Sequence, residues 1–204
     1  MDGCLLRVLR ADDVAGLRAE AIRAEQDGIE AILVGEGPLG DPFVLAASLS
    51  ETVASMLLGV RVVLGAGGRH PALLAREATS LELVCGGQTV LCFAPPFGEG
   101  LEEAIILCRE MWRDGTATSE GPVYPVAGAV NRPRPAGGSS PLLALDLTGS
   151  GARDEAGGAA ALADMVVVTA ADGGDEGDEG GEGDGGGEDG DGRGSVWRLE
   201  RVRA

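Results

Sequence analysis

Short apolar runs alternate with longer stretches of helical periodicity along most of this chain, and that alternation leaves few folds open. Ala31–Gly35, Met56–Leu64, Thr89–Phe93, Leu142–Leu147 and Met165–Thr169 are each four to nine residues of nearly continuous hydrophobic character. Runs of that kind are expected of strands buried on both faces, as in a parallel sheet covered by helices. With Leu5–Leu9 as a first strand, the order predicts six strands and about five helices arranged as βαβ units.

Local punctuation supports the helices. Asp12 or Asp13 can cap a helix whose apolar positions Val14, Leu17, Ala21 and Ala24 recur at spacings of three and four. Asp41-Pro42 offers a cap followed by proline at the first helical position, opening a helix to about Thr52. Pro71 opens a third helix carrying Leu73, Leu74, Ala78 and Leu81, and a fourth spans about Gly100–Arg113. Between Gly115 and Ser140 the periodicity fails, and four prolines among small residues predict an irregular surface excursion carrying Val123-Tyr124-Pro125. Leu142–Leu147, a Gly-rich turn, a short Ala-rich helix and Met165–Thr169 then follow.

The net charge of −17 is concentrated in one segment. Asp172–Gly192 holds only Gly, Asp and Glu, with ten acids in 21 residues, and without it 23 acids face 16 bases. Such a run has no apolar side chain to bury and repels itself, so it is expected to be disordered. The division expected is therefore a barrel-like domain over 1–171, a linker over 172–194 and a C-terminal segment over 195–204. All 16 bases are Arg, without the clustered basic face that nucleic acid requires, and the acidic balance disfavours anionic membranes. No apolar run reaches the roughly 18 residues of a membrane span. Met1-Asp2-Gly3-Cys4 places an acid where a secretory signal carries positive charge, which predicts a cytoplasmic protein. Cys4, Cys85, Cys92 and Cys108 form no C-x-x-C pair, and with a lone His70 they suit packing better than zinc.

An open doubly wound sheet and a barrel both satisfy this alternation, and neither G-x-G-x-x-G nor a P-loop is present. The order of particular segments is more specific. Ala24–Glu36, with its helix end, Asp27-Gly28 and a strand closing on Glu36, precedes Asp41-Pro42-Phe43. Leu57-Leu58-Gly59-Val60, Arg69-His70-Pro71-Ala72, Ala75–Glu82 and Cys85-Gly86-Gly87-Gln88 follow, then Glu103-Ala104, Met111-Trp112 and Gly121…Tyr124. Over about residues 14–170 this series resembles the luciferase-like monooxygenases, flavin- and deazaflavin-dependent oxidoreductases built as (β/α)8 barrels.

The resemblance implies an α/β fold, an incomplete TIM-type barrel of about six βα units, with its site at the C-terminal ends of the strands. It implies an oxidoreductase or monooxygenase using reduced FMN or the deazaflavin coenzyme F420 on a small organic substrate; the alternative is a non-catalytic flavin-binding or scaffold relative. Glu36 and His70 are the catalytic candidates, although a surface carboxylate in the loop Glu36–Gly40 and a helix-start role for His70 are the readings favoured for them. Gly59 and Val60, on the third strand where family members present a bulge to the ring, are cofactor-binding candidates, with Arg69 and the turn Gly149-Ser150-Gly151. Arg61 stands where a smaller residue is expected, and Phe93-Ala94-Pro95-Pro96-Phe97 replaces a Gly-rich turn. The Gly/acidic run stands where the last βα units belong, leaving a sheet edge to be met by dimerisation with a second copy or a related subunit, by the Val196–Val202 segment, or by a marginal fold.

Overall fold

The computed structural model describes residues 4–53, 55–64, 68–134, 140–169 and 196–202. The expectation of disorder for Asp172–Gly192 lies outside these residues. Strand β1 (Cys4–Leu9) leads through α1 (Val14–Gln26) to β2 (Ala31–Gly35), and α2 (Pro42–Leu49) to β3 (Leu57–Val63). Helix α3 (Pro71–Cys85) connects to β4 (Thr89–Ala94), which continues into α4 (Leu101–Asp114). A hairpin, β5 (Thr116–Ser119) and β6 (Val126–Val130), precedes β7 (Leu142–Asp146). Helix α5 (Ala152–Ala156) and a 3-10 turn (Gly157–Leu162) lead to β8 (Met165–Thr169), and β9 (Val196–Arg201) is last.

Strands β1, β2, β3, β4, β7 and β8 pair in parallel in that order. These are the six expected strands. The barrel nevertheless closes, because β9 runs antiparallel between β8 and β1. Leu199 lies opposite Cys4 on one side and Val167 on the other, while Trp197 lies opposite Leu6 and Thr169. Of the three ways of meeting the open edge, the described chain uses its own C-terminal segment. The alternation in Val196–Arg201 suits this: Leu199 is buried and Trp197 half-buried toward the lumen, with Arg198 exposed between them.

Two apolar layers result. Leu6, Leu33, Val90, Cys92, Ala144 and Leu199 fill the lumen. The alternate residues of the same strands, among them Ile32, Val60, Leu91 and Leu145, pack outward against the helices. A barrel of this size is a packed core, not a channel.

The helices begin where their caps dictate. Asp13 Oδ1 accepts from the Gly16 amide at 2.6 Å, and Asp41 Oδ1 accepts from the Phe43 and Val44 amides at 2.9 and 3.2 Å. The segment read as an irregular excursion contains the β5–β6 hairpin, which lies along α4 and places Val123-Tyr124 beside Gly100, the residue before α4. Gly100 adopts φ +88, and a side chain there would meet Val123 at 2.7 Å. Glu103 holds the hairpin tip, accepting from the Val123 and Tyr124 amides and the Ser119 hydroxyl at 2.8–3.1 Å. Among the described residues no helix is long and apolar enough to cross a membrane.

Candidate functional site at the barrel mouth

Among the described residues, the Arg61–Asp146 ion pair stands at the C-terminal mouth, above the apolar side chains of the lumen. Along β3 the lumen-facing positions are Gly59 and then Arg61. A β-carbon on Gly59 would fall 2.4 Å from the Val90 carbonyl oxygen and 2.8 Å from Leu33, so glycine is what allows the strands to approach here. One step higher, Arg61 Nε donates to Asp146 Oδ2 at 2.7 Å across the mouth from the end of β7, and Nη2 forms an ion pair with the same oxygen at 2.7 Å. Asp146 Oδ1 accepts from the Thr148 amide and hydroxyl at 2.9 and 2.6 Å. The side chains are 19% and 5% exposed, so the carboxylate is sealed in while the guanidinium reaches the surface. Cys92 neighbours Arg61 in register; burial pushes its thiol far up, the Asp146 charge adds to this, and the Arg61 charge opposes it.

The residues singled out from sequence occupy several places around this mouth. Glu36 follows β2, is exposed, and accepts from the Val63 amide at 3.1 Å, tying the ends of β2 and β3. It lines a cavity of about 550 Å³ at the ends of β1 and β2, together with Arg10, Asp12, Glu20 and Leu39. Burial pushes the Glu20 carboxyl up, against the lowering effect of Arg23 and Arg7. Arg69 bridges Asp41 and Glu77, the latter at 2.9 Å, and lies over the Phe43 ring at 5.6 Å. His70 caps α3, with Nδ1 accepting from the Ala72 amide at 3.2 Å, and its ring meets Tyr124 edge-on at 5.6 Å. Burial, then Glu103, pushes the Tyr124 hydroxyl up. Gly59 is in the lumen, whereas the Val60 side chain packs outward in the helical layer, leaving only its backbone at the barrel wall. β3 pairs in unbroken register with β4 from Leu58 to Val63, without the bulge the resemblance implied. Gly149-Ser150-Gly151 follows β7, with Gly149 approaching Pro95 of the loop after β4.

A model of the luciferase-like monooxygenases matches residues 7–180. The chain belongs to this family. An F420-dependent glucose-6-phosphate dehydrogenase of Kribbella flavida is 28% identical over 142 residues, covering 56% of this chain and 42% of that protein. The chain thus spans about half the length of the curated relative it matches. The coenzyme F420-dependent tetrahydromethanopterin reductase of Methanopyrus kandleri superposes with a TM-score of 0.65 at 18% identity, over 83% of this chain and 56% of that one. A riboflavin lyase solved with modified FMN and riboflavin gives 0.52 at 15% identity, over 72% and 46%. These structural likenesses establish the luciferase-like barrel fold.

Within this luciferase-like frame, sequence reading passed over Asp146 and treated Arg61 only as a departure. Their signal was present: an acid closing the apolar strand Leu142–Asp146, and an arginine inside Leu57–Val63. Glu155 also went unnoticed. Its Oε1 accepts from two successive backbone amides, Phe97 at 2.6 Å and Gly98 at 3.2 Å, in the loop after β4.

Proposed function

We propose that this chain works as a luciferase-like oxidoreductase whose reduced flavin or deazaflavin and small organic substrate meet at the C-terminal mouth. The Arg61–Asp146 pair carries the reading. Taking two charges out of water costs several kcal/mol each, and an apolar pair of similar volume would hold a barrel at least as well. A charged pair at the C-terminal ends of barrel strands is therefore a mark of function more than of stability.

The residues present fit such a cofactor. A reduced flavin or deazaflavin carries an electron-rich ring, and Arg61 offers guanidinium donors beyond the Nε–H held by Asp146. The turn Gly149-Ser150-Gly151 follows β7, the strand that ends on Asp146, and Arg69 stands before α3. When bound, the cofactor supplies hydride or the electrons that activate oxygen. Asp146, clamped by Thr148, fixes the guanidinium plane, so the cation is positioned before any ligand arrives. His70 accepts the Ala72 amide hydrogen bond at Nδ1, so the ring that makes this bond carries its hydrogen on Nε2 and offers it as a hydrogen-bond donor to a ligand. Glu36 gives one oxygen to Val63 and keeps the other to accept a proton or orient a substrate. Assembly with a second copy or a related subunit belongs to the same reading: Val44 and Leu73 stand exposed on the adjoining helices α2 and α3.

Titration of the full chain with FMN and with F420, followed by fluorescence, tests this. Saturable binding of either, lost on Arg61→Met, is expected. Absence of binding to folded protein refutes it and leaves the non-catalytic scaffold reading.

A further inference from the structure

Beside the mouth, the loop after β4 already holds an anion, and that anion belongs to the chain. The amides of Phe97 and Gly98 point at a single carboxylate oxygen, Glu155 Oε1, at 2.6 and 3.2 Å. Successive backbone N–H groups converging on one oxygen make an anion-binding concavity whose affinity is for negative charge as such, not for a glutamate in particular. The loop is well fixed to do this. The Phe97 side chain is fully buried among the helices, which anchors the backbone that presents both amides. Glu155, by contrast, is exposed and sits on a helix of five residues, so its carboxylate can leave without disturbing the core. The neighbouring Gly149 lies beside Pro95 of the same loop, and a β-carbon there would sit in ordinary van der Waals contact with it at 3.7 Å, so the turn after β7 packs next to the two amides.

We infer that the Phe97–Gly98 amides form an anion site for a carboxylate or phosphate group, and that Glu155 is its built-in competitor. An anionic ligand reaches the amides only by displacing Glu155, whose charge also repels it. The residue thereby sets a selection against anionic groups at this edge of the mouth, and removing its charge lifts that selection. This inference needs no cofactor, so failure of flavin or deazaflavin binding leaves it standing.

The test uses the full chain, with the Phe97 and Gly98 amide resonances followed during titration with inorganic phosphate and, separately, acetate. In Glu155→Ala at least one of the two anions should shift both resonances, with affinity at least about tenfold above wild type, the factor carried by one hydrogen bond to a charged group. The anion bound more tightly assigns the ligand class. Glu155→Gln, which keeps an acceptor of the same shape without the charge, should show a smaller gain at the same amides, and it carries the test should the alanine variant fail to fold. Shifts at these amides no tighter in the folded variants than in wild type, or none with either anion, overturn the inference.

Discussion

A double-mutant cycle on Arg61 and Asp146 separates a charge pair kept for function from one kept for stability. Arg61→Met leaves a carboxylate only 5% exposed, with Thr148 still bonded to it but no cation. Orphaning so deep a charge should cost about 3–5 kcal/mol. Asp146→Leu leaves a guanidinium that is 19% exposed on a long arm able to turn toward water, so its cost should be nearer ~2–3 kcal/mol. The Arg61→Met/Asp146→Leu protein has no unpaired charge and places apolar side chains above a lumen that is already apolar. Its stability should return to within about 1 kcal/mol of wild type, a coupling of several kcal/mol. Urea denaturation of the four proteins measures this; the single variants should also melt roughly 10 °C low in a chain of this length. The restored double variant should bind neither FMN nor F420. Single variants within ~0.5 kcal/mol of wild type, the sort of change expected at an ordinary surface site, would refute the burial argument. A double variant that keeps cofactor affinity would refute the functional one.

Two further outcomes follow from packing. Gly59→Ala drives a methyl group into the Val90 carbonyl at 2.4 Å, so β3 and β4 must part; a loss of about 3 kcal/mol, the upper end of ordinary overpacking, is expected in urea, and a loss under 1 kcal/mol would show that the strands yield easily. The Cys92 and Cys108 thiols are buried and their ionisation is pushed far above the ordinary value of 9.0, by burial first in both cases. They stay protonated in the folded state while the unfolded chain ionises, so stability is full below about pH 9 and falls above it, by ~1.4 kcal/mol per thiol for each pH unit. Denaturation midpoints between pH 8 and 10.5 should show this slope, and replacing both residues with alanine should flatten it; an unchanged slope would assign it to other groups.

What could be read from the sequence was what depends on neighbours in sequence. Asp41-Pro42 announces its helix because cap and first-turn proline are adjacent, and Ala31–Gly35 announces a strand because both its faces are covered. The β5–β6 hairpin escaped for the opposite reason. Thr116–Ser119 and Val126–Val130 have little alternation of their own; they are held by Glu103 on α4 and by Asn131, whose amide donates to Thr79 on α3 at 3.0 Å. The site was partly legible in the same sense. His70 and Arg69 stand at a helix start, as their place before Pro71 suggests, but their partners Tyr124, Asp41 and Glu77 are set by the fold. The Arg61–Asp146 pair joins two strands with β4 between them, and no local pattern links them.

The antiparallel strand β9 also has a consequence in time. It pairs Leu199 with Cys4, so the first strand of the barrel finds one of its two neighbours only in the last strand described. Pairings between residues so far apart in sequence are slow to form, because the closure entropy of nearly the whole chain must be met first. During synthesis β1 can dock on β2 early, yet its other edge stays bare until residues 196–201 emerge from the ribosome. The nascent chain therefore passes through an interval in which a six-stranded sheet displays two free edges, β1 and β8, and in that interval it is most exposed to strand exchange with its neighbours on the same message.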